Sequence, residues 1–200
     1  MAVAAILLAA GSATRMGRNK VLLPLGGESV LRRAARTALS AGLDPVLVVL
    51  GHEADRAEAE LAGLPVRAVR NPRHRLGINT SLSAGAEAVP EGAEAVVVLL
   101  ADMPGVEAAL IRQVVSRYQE TRAPLVTALY GEIPAPPTLY DRSLLPELRG
   151  GEGEGRGREL VRRHWGRAEK VACPESALAD LDVPADYERA RSRLGEGDGR

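Results

Sequence analysis

Residues 3–9 form an almost unbroken apolar run, VAAILLA, which the chain leaves through Ala10, Gly11, Ser12 and Ala13 before positive charge arrives at Arg15 and Lys20. An apolar run of this length reads as a strand covered on both faces, as in a parallel sheet. Residues as small as those that follow let backbone N–H groups come close to an anion. A guanidinium and an ammonium just beyond them complete a cradle for phosphate. The spacing is not GxxxxGK[ST], since the second glycine is Gly17 and Lys20 is followed by Val21. Nor is it GxGxxG, because Ala9 and Ala10 precede a lone Gly11.

The order of elements agrees with a nucleotide-handling sheet. Apolar residues at helical spacing predict a helix over 30–41 with Gly42 as its stop, and residues 45–50 read as a second buried strand. A helix over 54–62, ended by Gly63, leads to a third strand over 66–70, and AVVVLL at 95–100 is the clearest strand of all. Short apolar runs alternating with amphipathic helices predict an α/β chain with a doubly wound, mostly parallel sheet in three α/β/α layers. In that Rossmann-like arrangement ligands sit outside the carboxyl ends of the strands, where the motifs fall. With 200 residues the chain is read as one domain over 1–194, with 195–200 as a disordered tail.

Composition narrows the partners. Basic and acidic residues balance at 26 each, so no global field draws in nucleic acid or an anionic membrane. No apolar run approaches the roughly 20 residues that span a bilayer, and no basic signal opens the chain, so the expected location is the cytoplasm. Cys173 is the sole cysteine and reads as a packed thiol. His52, His74 and His164 lack the spacing of a metal cluster or a catalytic triad.

Two carboxylates stand out. Asp102 follows the strand 95–100 by two residues, with Pro104 stiffening the turn. It is a ligand for Mg²⁺, which prefers oxygen donors and takes one or two carboxylates together with substrate phosphates, or else a cap for a helix starting near Val106. Downstream, LADLDVPADY offers Asp180, Asp182 and Asp186 around Pro184; Asp186 reads as a first-turn acid of a final helix. Between these regions lies NPRHRLGINTSLSAG, in which Gly77 gives a permissive turn before a helix capped near Asn79 or Thr80. Arg73, His74 and Arg75 read there as solvated loop residues.

Taken together, LAAGSATRMGRNK resembles the LAAGxSxRMGxxK signature of the MobA-like nucleotidyltransferases, with Thr14 in place of the serine. The stretch LLADMPGV resembles that family's D-M-P motif, residues Asp182 to Asp186 resemble its D-T-P-x-D ending with Val183 for threonine, and Asn71, Gly77, Ser81 and Gly85 fall on a third family pattern. The resemblance implies a nucleotide site of Leu8, Ala9, Ala10, Gly11, Ser12, Arg15, Lys20, Asn71, Gly77 and Ser81. It implies Arg15, Lys20 and Asp102 as catalytic residues, and Asp102 with Asp182 as ligands for Mg²⁺. Asp180 is the alternative second ligand. Relatives that use CTP resemble LAAG and those that use GTP resemble LAGG, so Leu8 to Gly11 points to CTP.

The resemblance further implies a molybdenum cofactor cytidylyltransferase, which joins CMP to the terminal phosphate of molybdopterin, releases pyrophosphate and meets a molybdoenzyme or its chaperone in transfer. Such a reaction needs no base, because a phosphate monoester with a second pKa near 6 already carries about two negative charges. The match weakens over the acceptor segment. Ala135 and Pro136 stand where the family has a glycine–histidine pair, and GGEGEGRG has the composition of a flexible linker, whose mobility would suit a lid. A guanylyltransferase, a sugar- or polyol-phosphate nucleotidyltransferase and a non-catalytic nucleotide-binding regulator are the alternatives.

Overall fold

The computed structural model describes residues 2–11, 19–175, 178, 180, 181 and 183–193. Strand β1 (Val3–Ala9) is buried at every position, as its unbroken apolar run requires of a strand covered on both faces. It lies at the middle of a seven-stranded sheet with β4 (Val46–Leu50) on one side and β6 (Ala95–Leu100) on the other, both parallel to it. β5 (Val66–Arg70) adds outside β4 in parallel. The other half is built from β8 (Ile133–Asp141), which runs antiparallel to β6, then β7 (Leu125–Tyr130) and β9 (Ala168–Cys173). The order β5-β4-β1-β6-β8-β7-β9 makes β8 the single reversed strand of the sheet.

Alternate strand residues feed two cores, which makes the protein three layers thick. Val3, Ala5, Leu7, Val46, Val48, Val97 and Leu99 point to one side, toward α1 (Val30–Ser40), α2 (Ala54–Glu60) and α4 (Ala108–Thr121). Their neighbours Ala4, Ile6, Leu8, Leu47, Val49 and Val96 point to the other, toward α3 (Ile78–Ala88), α5 (Leu145–Leu148) and α6 (Arg156–Arg163). Each fully buried leucine or isoleucine here contributes about 1.5–3 kcal/mol of transfer free energy, and both faces are filled without gaps in the pattern. A hairpin of β2 (Pro24–Leu25) and β3 (Glu28–Ser29) follows the first loop. The last helix, α7 (Pro184–Arg193), returns to it: Leu181 and Tyr187 pack on Leu23, Leu25 and Val30, and the Tyr187 hydroxyl donates to the Pro24 carbonyl.

The expected α/β sheet is therefore present, with several boundaries moved. The helix expected over 30–41 ends at Ser40 and that over 54–62 at Glu60, while the second strand begins at Val46 rather than 45. The helix of the NPRHRLGINTSLSAG stretch starts at Ile78 with Gly77 at its N-cap, so Asn79 and Thr80 lie inside it rather than capping it. Asp102 caps nothing nearby, because α4 starts only at Ala108. Asp186 sits in the first turn of α7 as expected, and its carboxylate accepts the Val183 N–H at 2.9 Å. Among the described residues no helix is long and apolar enough to cross a membrane.

Candidate active site

Parallel strands end on one edge, and the residues there come from four of them. Beyond β1 lie Ala10 and Gly11, beyond β4 lies Gly51, beyond β5 lies Asn71, and beyond β6 lies Asp102. The chain ends are tied across the edge: Ala101 donates its N–H to Leu8 at 3.0 Å and Asn71 donates to Leu50 at 2.8 Å. Ser12, Arg15 and Asp182 lie outside the described residues.

The central contact of this edge joins residues 82 positions apart in sequence. Lys20, at the start of a short 3₁₀ turn, places Nζ 2.5 Å from Oδ2 of Asp102, and both side chains are about one-quarter exposed (24% and 22%). Leu181 arrives from the other side and donates its N–H to the Asp102 carbonyl at 3.0 Å. The aspartate-rich segment before α7 therefore meets the D-M-P turn at its backbone. Asp180 stands on the far side, near enough to Tyr130 for its charge to count: burial above all, then Cys173 and Asp180, hold the Tyr130 phenol above its usual value. The Tyr130 hydroxyl donates to the Pro136 carbonyl at 2.8 Å, on the segment read as the acceptor side. Burial likewise raises the Cys173 thiol, which keeps it protonated and unreactive.

An oxygen donor that already holds a cation is suited to a hard divalent metal. Among the described residues no group of three His, Cys, Asp or Glu side chains could hold one by itself. A metal here would share Asp102 with oxygens of a bound phosphate, the usual habit of Mg²⁺.

Asn71 organises the floor of the edge. Buried, it donates through Nδ2 to Thr80 Oγ1 and Ser81 Oγ, each at 2.9 Å, and accepts from the Arg73 N–H at 2.9 Å. Both amide hydrogens are thus committed within the protein, and what Asn71 leaves to a ligand is carboxamide oxygen and backbone. Ser81 is held by the same bond. Gly77 has a φ of 102°, and a Cβ on it would lie 2.2 Å from the carbonyl oxygen of Gly153. Only glycine fits, in a conformation L side chains rarely adopt and against a second backbone.

That second backbone belongs to GGEGEGRG, and the structure corrects its reading as a flexible linker. Gly153 donates to Leu76 at 2.7 Å and accepts from Asn79 at 3.0 Å; Asn79 Nδ2 donates to Glu152 at 2.9 Å, and Gly150 donates to Ser83 Oγ at 2.7 Å. Asn79 Oδ1 in turn accepts the Arg156 N–H at 3.0 Å and so satisfies the start of α6. Arg73 and Glu152 close the outside at 2.7 Å. The glycines serve as left-handed turns of a clasp, and composition alone does not separate that use from flexibility. His74 also departs from the loop reading: its Nδ1 lies 3.2 Å from the Asn71 carbonyl, and its Nε2 is buried. A glycine directly after a buried strand, Gly51, was the available hint that something packs there.

The MobA-like NTP transferase domain matches residues 5–169. The purine catabolism protein PucB of Bacillus subtilis (strain 168) is 31% identical over 201 residues, covering 94% of this chain and 96% of PucB. Among solved structures, Rv0371c of Mycobacterium tuberculosis H37Rv superposes with a TM-score of 0.84 at 26% identity, over 96% of this chain and 98% of that one. The same protein has been solved in complex with manganese, with a TM-score of 0.76 at 26% identity over 96% of this chain and 99% of that one. A nucleotidyl transferase of Methanothermobacter (Mth528) superposes at 0.83 with 25% identity, over 98% of this chain and 99% of that one. The chain belongs to the MobA-like NTP transferase family and is a nucleotidyltransferase, an enzyme of small-molecule nucleotide substrates.

Proposed function

We propose that this nucleotidyltransferase transfers CMP from CTP to the terminal phosphate of molybdopterin, releasing pyrophosphate and giving molybdopterin cytosine dinucleotide. The observation that carries the reading is the Lys20–Asp102 contact of 2.5 Å on the strand-end edge, which joins the LAAGSATRMGRNK and LLADMPGV motifs at one point. The choice of CTP is supported by Leu8, Ala9, Ala10 and Gly11, and the acceptor by the similarity to MobA-like proteins along most of the chain.

The chemistry asks for alignment and charge neutralisation. An oxygen of the acceptor phosphate, already largely dianionic, attacks the α-phosphorus; the new P–O bond forms as the bond from α-phosphorus to pyrophosphate breaks. Backbone N–H groups after β1, with Arg15 and Lys20, hold the triphosphate. Lys20 is the counter-ion of Asp102 here; with nucleotide bound, Lys20 would face the phosphates, and Asp102, with Asp182 or Asp180 as second carboxylate, would hold a divalent cation. That cation, Mg²⁺ in this reading, supplies neutralisation of phosphate charge. The product dinucleotide would pass to a molybdoenzyme or its chaperone.

One observation favours a second reading. Ala135 and Pro136, on β8, replace the family's glycine–histidine pair, so a sugar- or polyol-phosphate acceptor fits as well as a pterin phosphate. Pyrophosphate release from CTP and, separately, GTP, with Mg²⁺ and with or without molybdopterin, tests the proposal. Acceptor-dependent release with CTP supports it. Release with GTP alone assigns a guanylyltransferase, and release only with sugar or polyol phosphates moves the acceptor.

A further inference from the structure

We infer that Nε2 of His74 accepts a hydrogen bond from the exocyclic amino group of cytosine and so selects CTP over UTP; this rests on the cytidylyl reading above. Three observations lead there. The imidazole lies against Gly51 at the carboxyl end of β4, where a Cβ would stand 2.6 Å from His74 Cβ and Cγ and 2.8 Å from the Ala10 carbonyl oxygen. Gly51 therefore exists as glycine so that the histidine, carried by the loop after β5, reaches the end of β1. Next, Nδ1 faces the Asn71 backbone carbonyl at 3.2 Å, and a carbonyl only accepts, so Nδ1 carries the proton. In the neutral ring Nε2 is then left with a lone pair. Finally, Nε2 is buried and has no hydrogen-bond partner among the described residues. A buried acceptor left unpaired costs about 1–3 kcal/mol, which a ligand donor would recover.

The sign of the group decides the ligand part. In that neutral form the Nε2 lone pair repels a phosphate oxygen and calls for a donor instead. The Ala10 carbonyl oxygen borders the same Gly51 corner, and an amino group is the donor this acceptor-lined corner suits. Cytosine presents an amino group at position 4, where uracil presents a carbonyl oxygen that would meet the Nε2 lone pair. Sites that hydrogen-bond a substrate N–H discriminate far more strongly than apolar pockets do.

The test compares binding of CTP, UTP, GTP and the 4-desamino analogue, 2-pyrimidinone riboside triphosphate, by calorimetry with Mg²⁺. It uses the wild type, His74→Leu and His74→Gln, the last keeping an acceptor oxygen. The expected result is CTP at least about tenfold tighter than the desamino analogue and UTP in the wild type. That preference should shrink to within about twofold in His74→Leu, by loss of CTP affinity alone, and return in part in His74→Gln. The analogue comparison needs no mutation, so a variant that fails to fold does not blunt it. Tight CTP binding with no penalty for the desamino analogue would overturn the role of His74 and leave the cytidylyl reading standing. So would an unchanged CTP preference in folded His74→Leu. Binding of GTP but not CTP would remove the cytidylyl reading and this inference with it.

Discussion

The two halves of the sheet are built on different terms. From β5 to β6 every neighbouring pair is parallel, and β4, β1 and all but the last residue of β6 are buried, so the half that ends in Ala10, Gly51, Asn71 and Asp102 is held by continuous apolar layers. From β8 to β9 a reversed strand with three prolines enters, the register shifts between Thr127 and Ala128, and the connection back to the site is the glycine clasp against α3. β7 and the second part of β8 are buried as well, so what sets the second half apart is its reversed strand and the few backbone contacts of the clasp by which it reaches the site. In the proposed reading the nucleotide is met by the all-parallel half of the sheet and the acceptor by the half with the reversed strand.

Breaking the all-parallel half at its chemistry should have the largest effect. Asp102→Asn keeps the shape of the turn but removes the charge that pairs with Lys20. Turnover measured as pyrophosphate release should fall about 10²–10³-fold, as when a charge-stabilising group is lost, with the unfolding midpoint little moved. Breaking the junction of the halves comes next. Gly77→Ala would force a Cβ to 2.2 Å from Gly153 at a φ of 102°, and denaturant unfolding should report a loss of about 3 kcal/mol. Asn71→Ala removes both donors to Thr80 and Ser81 and the acceptor for Arg73, and the same measurement should show about 2 kcal/mol. Gly153→Ala sharpens the contrast: φ is 81° but nothing lies within 4 Å of the added Cβ, so the cost should be only about 1 kcal/mol.

The smallest effect belongs to pH and to the far end of β8. Burial pushes the Asp141 carboxyl up, but hydrogen bonds from the Ser143 N–H and hydroxyl at 2.9 and 2.6 Å and from Tyr118 at 2.6 Å outweigh it and hold the group below the usual carboxylate range. A lowered folded value gives stability that is present above the unfolded value of about 4 and is lost as pH falls through the folded value. Tyr118→Phe should therefore cost stability at neutral pH, where this contribution is complete, and bring acid unfolding to a slightly higher pH, the two proteins converging below the folded value; circular dichroism across the acid limb reads the shift.

What could be read from the residues follows the same division. The strands at 3–9 and 95–100 were legible because a strand buried on both faces must be apolar throughout, and the turns after them had to carry the chemistry. Lys20 and Asp102 were each legible as candidates, while their contact was not, since 82 residues separate them and only the sheet order brings their turns together. In β8 the sequence IPAPPTLYD hides a strand behind prolines, which lack the ladder donor that strand patterns presuppose. GGEGEGRG hides a clasp behind glycines, since positive φ and flexibility draw on the same residue. His74 looked like a solvated loop residue because burial against Gly51 is a matter of the fold rather than of local pattern.

The most direct test follows the label rather than the leaving group. CTP labelled at the α-phosphorus is incubated with molybdopterin, Mg²⁺ and either the wild type or Asp102→Asn, and the pterin product is isolated. The account predicts label on the pterin with the wild type, in amounts matching pyrophosphate, and almost none with Asp102→Asn. Label that stays entirely in CTP or appears only as free CMP, or transfer undiminished by Asp102→Asn, would contradict it.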